Sequence, residues 1–154
     1  MNDYERVLKW SQDETFCRAN QWELNRDPSE VYQWWLKCVN HTMEDFVRMG
    51  ITFNGRLIGY TDLANIKDES AELGIAIGES TLWGQGIGVE AALCTIQFAS
   101  TQLGLTTIVA ETHETNIRSR RMLEKIGFEE ISRFGYEEYL GINSQLIQYR
   151  LICN

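Results

Sequence analysis

Proline is nearly absent from this chain, which has a single one, Pro28, in 154 residues. With only 23% charged residues, that argues against a long linker or a disordered tail. The four cysteines, Cys17, Cys38, Cys94 and Cys153, stand far apart and form no C-x-x-C pair. A zinc site and a disulfide framework are therefore disfavoured, no metal is expected, and scattered thiols fit a reducing, cytoplasmic setting. No stretch approaches the ~20 apolar residues of a membrane span, and no signal-peptide pattern opens the chain. Positive charge is scarce: 14 Lys and Arg stand against 22 Asp and Glu, a net −8. A nucleic-acid surface needs a basic stripe to release counterions, so that class is disfavoured. Such acidity suits a cationic small molecule or a basic peptide, and serves solubility equally well.

What the chain does have is a core. At 44% hydrophobic over 154 residues it is sized for one domain, residues 1–154. Its most informative stretch is Trp83-Gly84-Gln85-Gly86-Ile87-Gly88-Val89-Glu90, between an alternating apolar run and a long amphipathic one. Three glycines there mark a strand-to-helix turn. A helix start offers unpaired N–H donors and about half a positive charge, and glycine removes the Cβ atoms that would keep an anion away. The spacing is neither the dinucleotide G-x-G-x-x-G nor a P-loop. It reads as a pyrophosphate cradle on the N–H groups of Gln85, Gly86, Ile87, Gly88 and Val89.

The periodicity predicts a first helix over residues 4–22, capped by Asn2 or Asp3, and a second one capped by Ser29. Asn54-Gly55 separates residues 46–53 from 56–64, a strong hairpin signal. A third strand is expected over 71–78, a helix from Val89 to near Gly104, a strand over 106–112 and a short helix over 117–126. Strands 129–134 and 145–152 close the chain around Gly141. The result is an α/β (α+β) fold, a mixed sheet with helices on its faces.

This order and three motif blocks resemble the GNAT superfamily of N-acetyltransferases. The blocks are residues 71–78 (AELGIAIG), 83–88 (WGQGIG), and Asn116-Ile117-Arg118-Ser119 continuing to Leu123-Glu124-Lys125-Ile126-Gly127-Phe128. The branch it resembles most is that of the ribosomal-protein N-terminal acetyltransferases. The resemblance implies the acyl-CoA N-acyltransferase fold, with acetyl-CoA as co-substrate and a primary amine on a peptide N-terminus or small molecule as acceptor. Two positions depart from the pattern: Trp83 stands where Arg or Gln is common, and Leu123 where many members carry a proton-donating Tyr. The family's first strand is not visible before Tyr4, so the sheet is expected to begin one strand short.

By the same resemblance, the pantetheine arm would lie along Ile75, Ala76 and Ile77 as an added strand. Asn116 would bond it, with Ser119 as a further contact. Attack on the thioester needs a neutral amine and benefits from a general base. Glu111 and Glu72 are the candidates. With Leu123 unable to donate, Tyr136, or else Tyr139, is the candidate proton source. The alternative is a CoA-binding protein without transferase activity. An exposed aromatic early helix would support a homodimer.

Overall fold

The computed structural model describes residues 2–40 and 43–153. Helix α1 (Asp3–Trp10) opens on a reciprocal cap: Asn2 accepts the Glu5 N–H, and the Glu5 carboxylate accepts the Asn2 N–H. The single early helix expected over 4–22 is in fact two. Asp13 starts a new one by accepting the Phe16 N–H, giving α2 (Glu14–Asn20), while the Ser11 carbonyl turns outward to accept from Asn25. A polar capping residue inside the apolar pattern interrupts what periodicity alone joins. Pro28 begins α3 (Pro28–Asn40), capped by the Asp27 carboxylate rather than by Ser29.

Strands β1 (Val47–Phe53) and β2 (Arg56–Lys67) form the expected hairpin, with Asn54 and Gly55 both at positive φ. Strand β3 (Ser70–Ile77) pairs antiparallel with β2, and α4 (Ile87–Leu103) crosses over to the parallel strand β4 (Thr107–His113). Helix α5 (Ile117–Ile126) leads to the hairpin β5 (Glu129–Tyr139) and β6 (Ile142–Ile152). The sheet order is β1-β2-β3-β4-β6-β5, six strands, and among the described residues no strand precedes α1. Strand β5 runs past the expected residue 134, because the register slips between Arg133 and Tyr136, where Gly135 has φ 93°.

The alternation of β3 sorts its side chains to two cores. Ala71 and Leu73 join Ile108, Ala110, Ile147 and Tyr149 under α4 and α5. Ala76 joins Val7, Trp10, Phe16, Cys17 and Val31 under the early helices. Trp22, Trp34 and Trp35 pack against this second core, with Phe16–Trp22 and Trp22–Trp34 ring centroids 5.0 and 5.1 Å apart. Most of the early aromatics are thus packing, although Tyr32 stays exposed.

Strands β3 and β4 share only three register pairs, ending at Glu72 and Val109. Beyond that point they part. No helix among the described residues is long and apolar enough to cross a membrane.

Candidate active site

The glycine turn lies at the mouth of that gap. Gly84 and Gly86 have φ of 80° and 82°, and a Cβ on either would meet no atom within 4 Å. Only glycine holds this conformation without strain, and the space it leaves is open. The first bond of α4 runs from the Glu90 N–H to the Gly86 carbonyl. Among the described residues, the N–H groups of residues 84–89 have no protein acceptor. That is a row of donors at the positive end of a 17-residue helix.

Neighbouring contacts fix the turn. The Ser80 hydroxyl donates to Asp13 at 2.6 Å, tying the approach to the start of α2. Burial pushes the Asp13 carboxyl up, but the Ser80 hydroxyl and backbone N–H donors outweigh it and hold it below the ordinary range. Arg56 pairs with Glu79 at 3.0 Å. The Trp83 indole N–H donates to the Ile77 carbonyl at 2.9 Å. Trp83 thus splints the loop to the end of β3, a structural use in place of the family's polar side chain. The Gln85 amide nitrogen folds back to donate to the Thr81 carbonyl at 3.4 Å.

Along β3, the Gly78 N–H donates to Ile58 on β2. Alternation along that ladder turns the polar groups of Ala76 toward Tyr60 and those of Ile75 and Ile77 toward the gap. Ile75 and Ile77, with Gly84, Gly86, Ile87, Gly88, Val89, Asn116 and Ser119, line a cavity of about 210 Å³. Ala76 does not: its methyl is buried in the second core and its backbone faces β2. Asn116 caps α5 by accepting the Ser119 N–H at 3.2 Å, leaving its amide nitrogen unbonded among the described residues.

A second, larger cavity of about 570 Å³ meets the first at Trp83, Asn116 and Arg118. Its walls are α2, through Glu14 and Arg18, the start of α5, and the β5–β6 turn, through Tyr139 and Leu140. The Arg118 guanidinium stacks on Trp83, 3.7 Å from the ring centre. Partial burial lowers the Arg118 pKa and raises that of Tyr139, with each opposing the other's shift electrostatically. Both stay in their usual forms at neutral pH, cation and phenol.

The candidate acid and bases are placed unevenly. Tyr136 is 67% exposed on β5 and lines neither cavity, whereas Tyr139 is 6% exposed and lines the larger one. Three residues apart, the two tyrosines fall on opposite faces of β5, with Tyr136 opposite Gln145 and Tyr139 opposite Ile142 of β6; the one-residue slips after Glu130 and after Arg133 cancel in phase. Tyr139 stacks on His113, ring centroids 4.4 Å apart, and His113 Nδ1 is buried without a partner. Glu111 accepts from the Gln148 amide at 2.8 Å and Glu72 from Asn65 at 3.3 Å. By strand alternation both carboxylates lie on the sheet face of Ala76 and His113, outside the lining of either cavity. Leu123 is buried in the first core, so no acid stands at that place. Glu14 and Arg18 were missed from sequence; the Asp13 cap signal would have put both on the first turns of a new helix.

Residues 1–129 match the acetyltransferase (GNAT) domain family. The chain is 26% identical over 136 residues to alpha/beta-tubulin-N-acetyltransferase 9 of Mus musculus, covering 84% of this chain and 48% of that protein. It is 24% identical over 142 residues to an uncharacterized protein of Methanocaldococcus jannaschii, covering 90% of this chain and 28% of that one. The chain thus spans half or less of the curated relatives it matches. Among solved structures, the spermidine N-acetyltransferase of Vibrio cholerae in complex with CoA and spermine superposes with a TM-score of 0.79. The identity is 19%, over 97% of this chain and 89% of that one. With its six-stranded mixed sheet, parted central strands and glycine turn, this chain belongs to the GNAT acetyltransferase family.

Proposed function

We propose that this chain transfers the acetyl group of acetyl-CoA to a primary amine of a peptide N-terminus or a small molecule. The observation that carries this reading is the row of unpartnered N–H groups at residues 84–89, opening onto the gap between β3 and β4. A pyrophosphate fits those donors, and an amide-bearing arm fits the free edge of Ile75 with the Asn116 amide beside it. The C–N bond forms at the acetyl carbon as the C–S bond breaks; the amine gives up one proton and the thiolate takes one.

At pH 7, deprotonating a lysine-like amine costs about 4–5 kcal/mol and an α-amino group about 1 kcal/mol. We assign Glu111 as the base acting through water, ahead of Glu72, because it shares a strand face with His113 and, through it, neighbours the Tyr139 ring. Tyr139 replaces Tyr136 as the hydroxyl that meets the departing thiolate. A thiol with a pKa of about 8.5 asks for little more than a hydrogen bond there. We place the enzyme in the cytoplasm on its free thiols. For a second copy, the exposed Phe134 and Tyr136 on edge strand β5 offer more apolar surface than the early helices.

Release of free thiol from acetyl-CoA, followed with and without a panel of amines, tests the proposal. Amine-dependent release that Glu111→Gln lowers about 10²-fold or more in kcat is expected. CoA binding without release for any amine would instead make the chain a binding module.

A further inference from the structure

The larger cavity says something about the acceptor, and this inference rests on the transferase reading above. Arg18 of α2 and Arg118 of α5 both line it. In a chain of net charge −8, arginines have no shortage of carboxylates to pair with. Arg26, Arg48, Arg56 and Arg133 each do so within 4 Å. Arg18 and Arg118 do not, among the described residues, and neither do Arg6, Arg120, Arg121 and Arg150; what sets Arg18 and Arg118 apart is that both line this cavity. Arg118 is held by its stack on Trp83 instead of by an anion. Its five N–H donors are therefore free where the two cavities meet, both of which Arg118 lines.

We infer that the acceptor carries a carboxylate a few bonds from its reactive amine, and that Arg18 and Arg118 hold that carboxylate. Glu14, one helical turn before Arg18 on the same wall, offers a partner for the amine while it is still an ammonium. An amine-only polycation would meet two unneutralised guanidiniums, which disfavours it. The matching chemistry belongs to a free amino acid or to a peptide whose second residue is acidic. Guanidinium binds a carboxylate with two parallel bonds, a geometry a neutral amide does not reproduce.

The test compares kcat/KM for matched acceptors with acetyl-CoA: leucine against leucinamide, a Met-Asp peptide against its Met-Asn counterpart, and spermidine. We expect at least one carboxylate acceptor to exceed its amide partner about 10-fold or more. Which pair shows it separates the amino acid from the peptide. In Arg18→Gln that ratio should fall close to one, through KM, and Arg18→Lys should restore part of it. Equal rates within both pairs, or spermidine as the best acceptor, would overturn the inference. So would an unchanged ratio in Arg18→Gln, or CoA binding with transfer to none of the panel. CoA-dependent thermal stabilisation, measured alongside, separates the two failures. Its absence sinks the cofactor site itself, whereas its presence with no carboxylate preference sinks only this assignment.

Discussion

The two cavities meet at Trp83 and Asn116 but are made of different material. The smaller one draws its ligand donors mainly from main chain, from positive-φ glycines, the free N–H groups of a helix start and the bare edge of Ile75, with Arg118 at the border it shares with the larger one. The larger one is built of side chains, Glu14, Arg18, Arg118 and Tyr139, carried by α2, α5 and the last hairpin. A site made of backbone constrains which residues cannot be there. A site made of side chains can be changed one residue at a time without touching the fold. The first suits a co-substrate common to a family, and the second an acceptor that differs among its members.

Breaking the backbone half should have the largest effect. Gly86→Val puts a β-branched residue at φ 82° and fills the open space beside the turn. The strain should cost about 1–3 kcal/mol in the free protein. The ligand-dependent gain, about 2.7 kcal/mol at 100 Kd of CoA, should vanish as well. Thermal unfolding with and without CoA separates the two contributions. A variant that keeps the full CoA shift would refute the cradle.

Trp83 joins the halves, so its variants sharpen the comparison. Trp83→Ala loses packing on the second core, the bond to Ile77 and the platform under Arg118; about 2–4 kcal/mol of stability should go. Trp83→Phe keeps a ring for Arg118 and loses the hydrogen bond, about 1 kcal/mol. Denaturant unfolding of both, beside acceptor KM, distinguishes splint from platform.

The smallest effect is expected at Asp13, which caps α2 and anchors Ser80. Asp13→Ala should cost about 1 kcal/mol at neutral pH. Because the folded carboxyl titrates below its unfolded value, its contribution is complete above pH ~4 and fades as pH falls through the folded value. The gap between wild type and variant should close below that pH in denaturant midpoints; a gap that widens in acid would contradict the assignment.

The legibility of the two halves in sequence follows the same division. Gly84 and Gly86 could be read in advance because positive φ demands glycine, and Asn116 because a cap needs a short polar side chain. The choice of Ile75 and Ile77 over Ala76 depends on the phase of the β2–β3 ladder, which is set by a partner 16 residues away at Tyr60. Glu14 and Arg18 were hidden because Asp13 cuts a helix that periodicity runs straight through. Tyr139 takes the place of Tyr136 because the two lie on opposite faces of β5, and which face meets the cavity is set by pairing with β6, where Ile142 stands opposite Tyr139 and Gln145 opposite Tyr136. What went unread was phase and long-range placement, which local pattern does not carry.

The most direct measurement is a CoA titration followed by backbone amide resonances. The account predicts the largest shifts at the amides of residues 85–89 and at Ile75, with the cavity beside Trp34 and Arg48 unmoved. Saturating CoA that leaves the 85–89 amides in place, while shifting others, would contradict it.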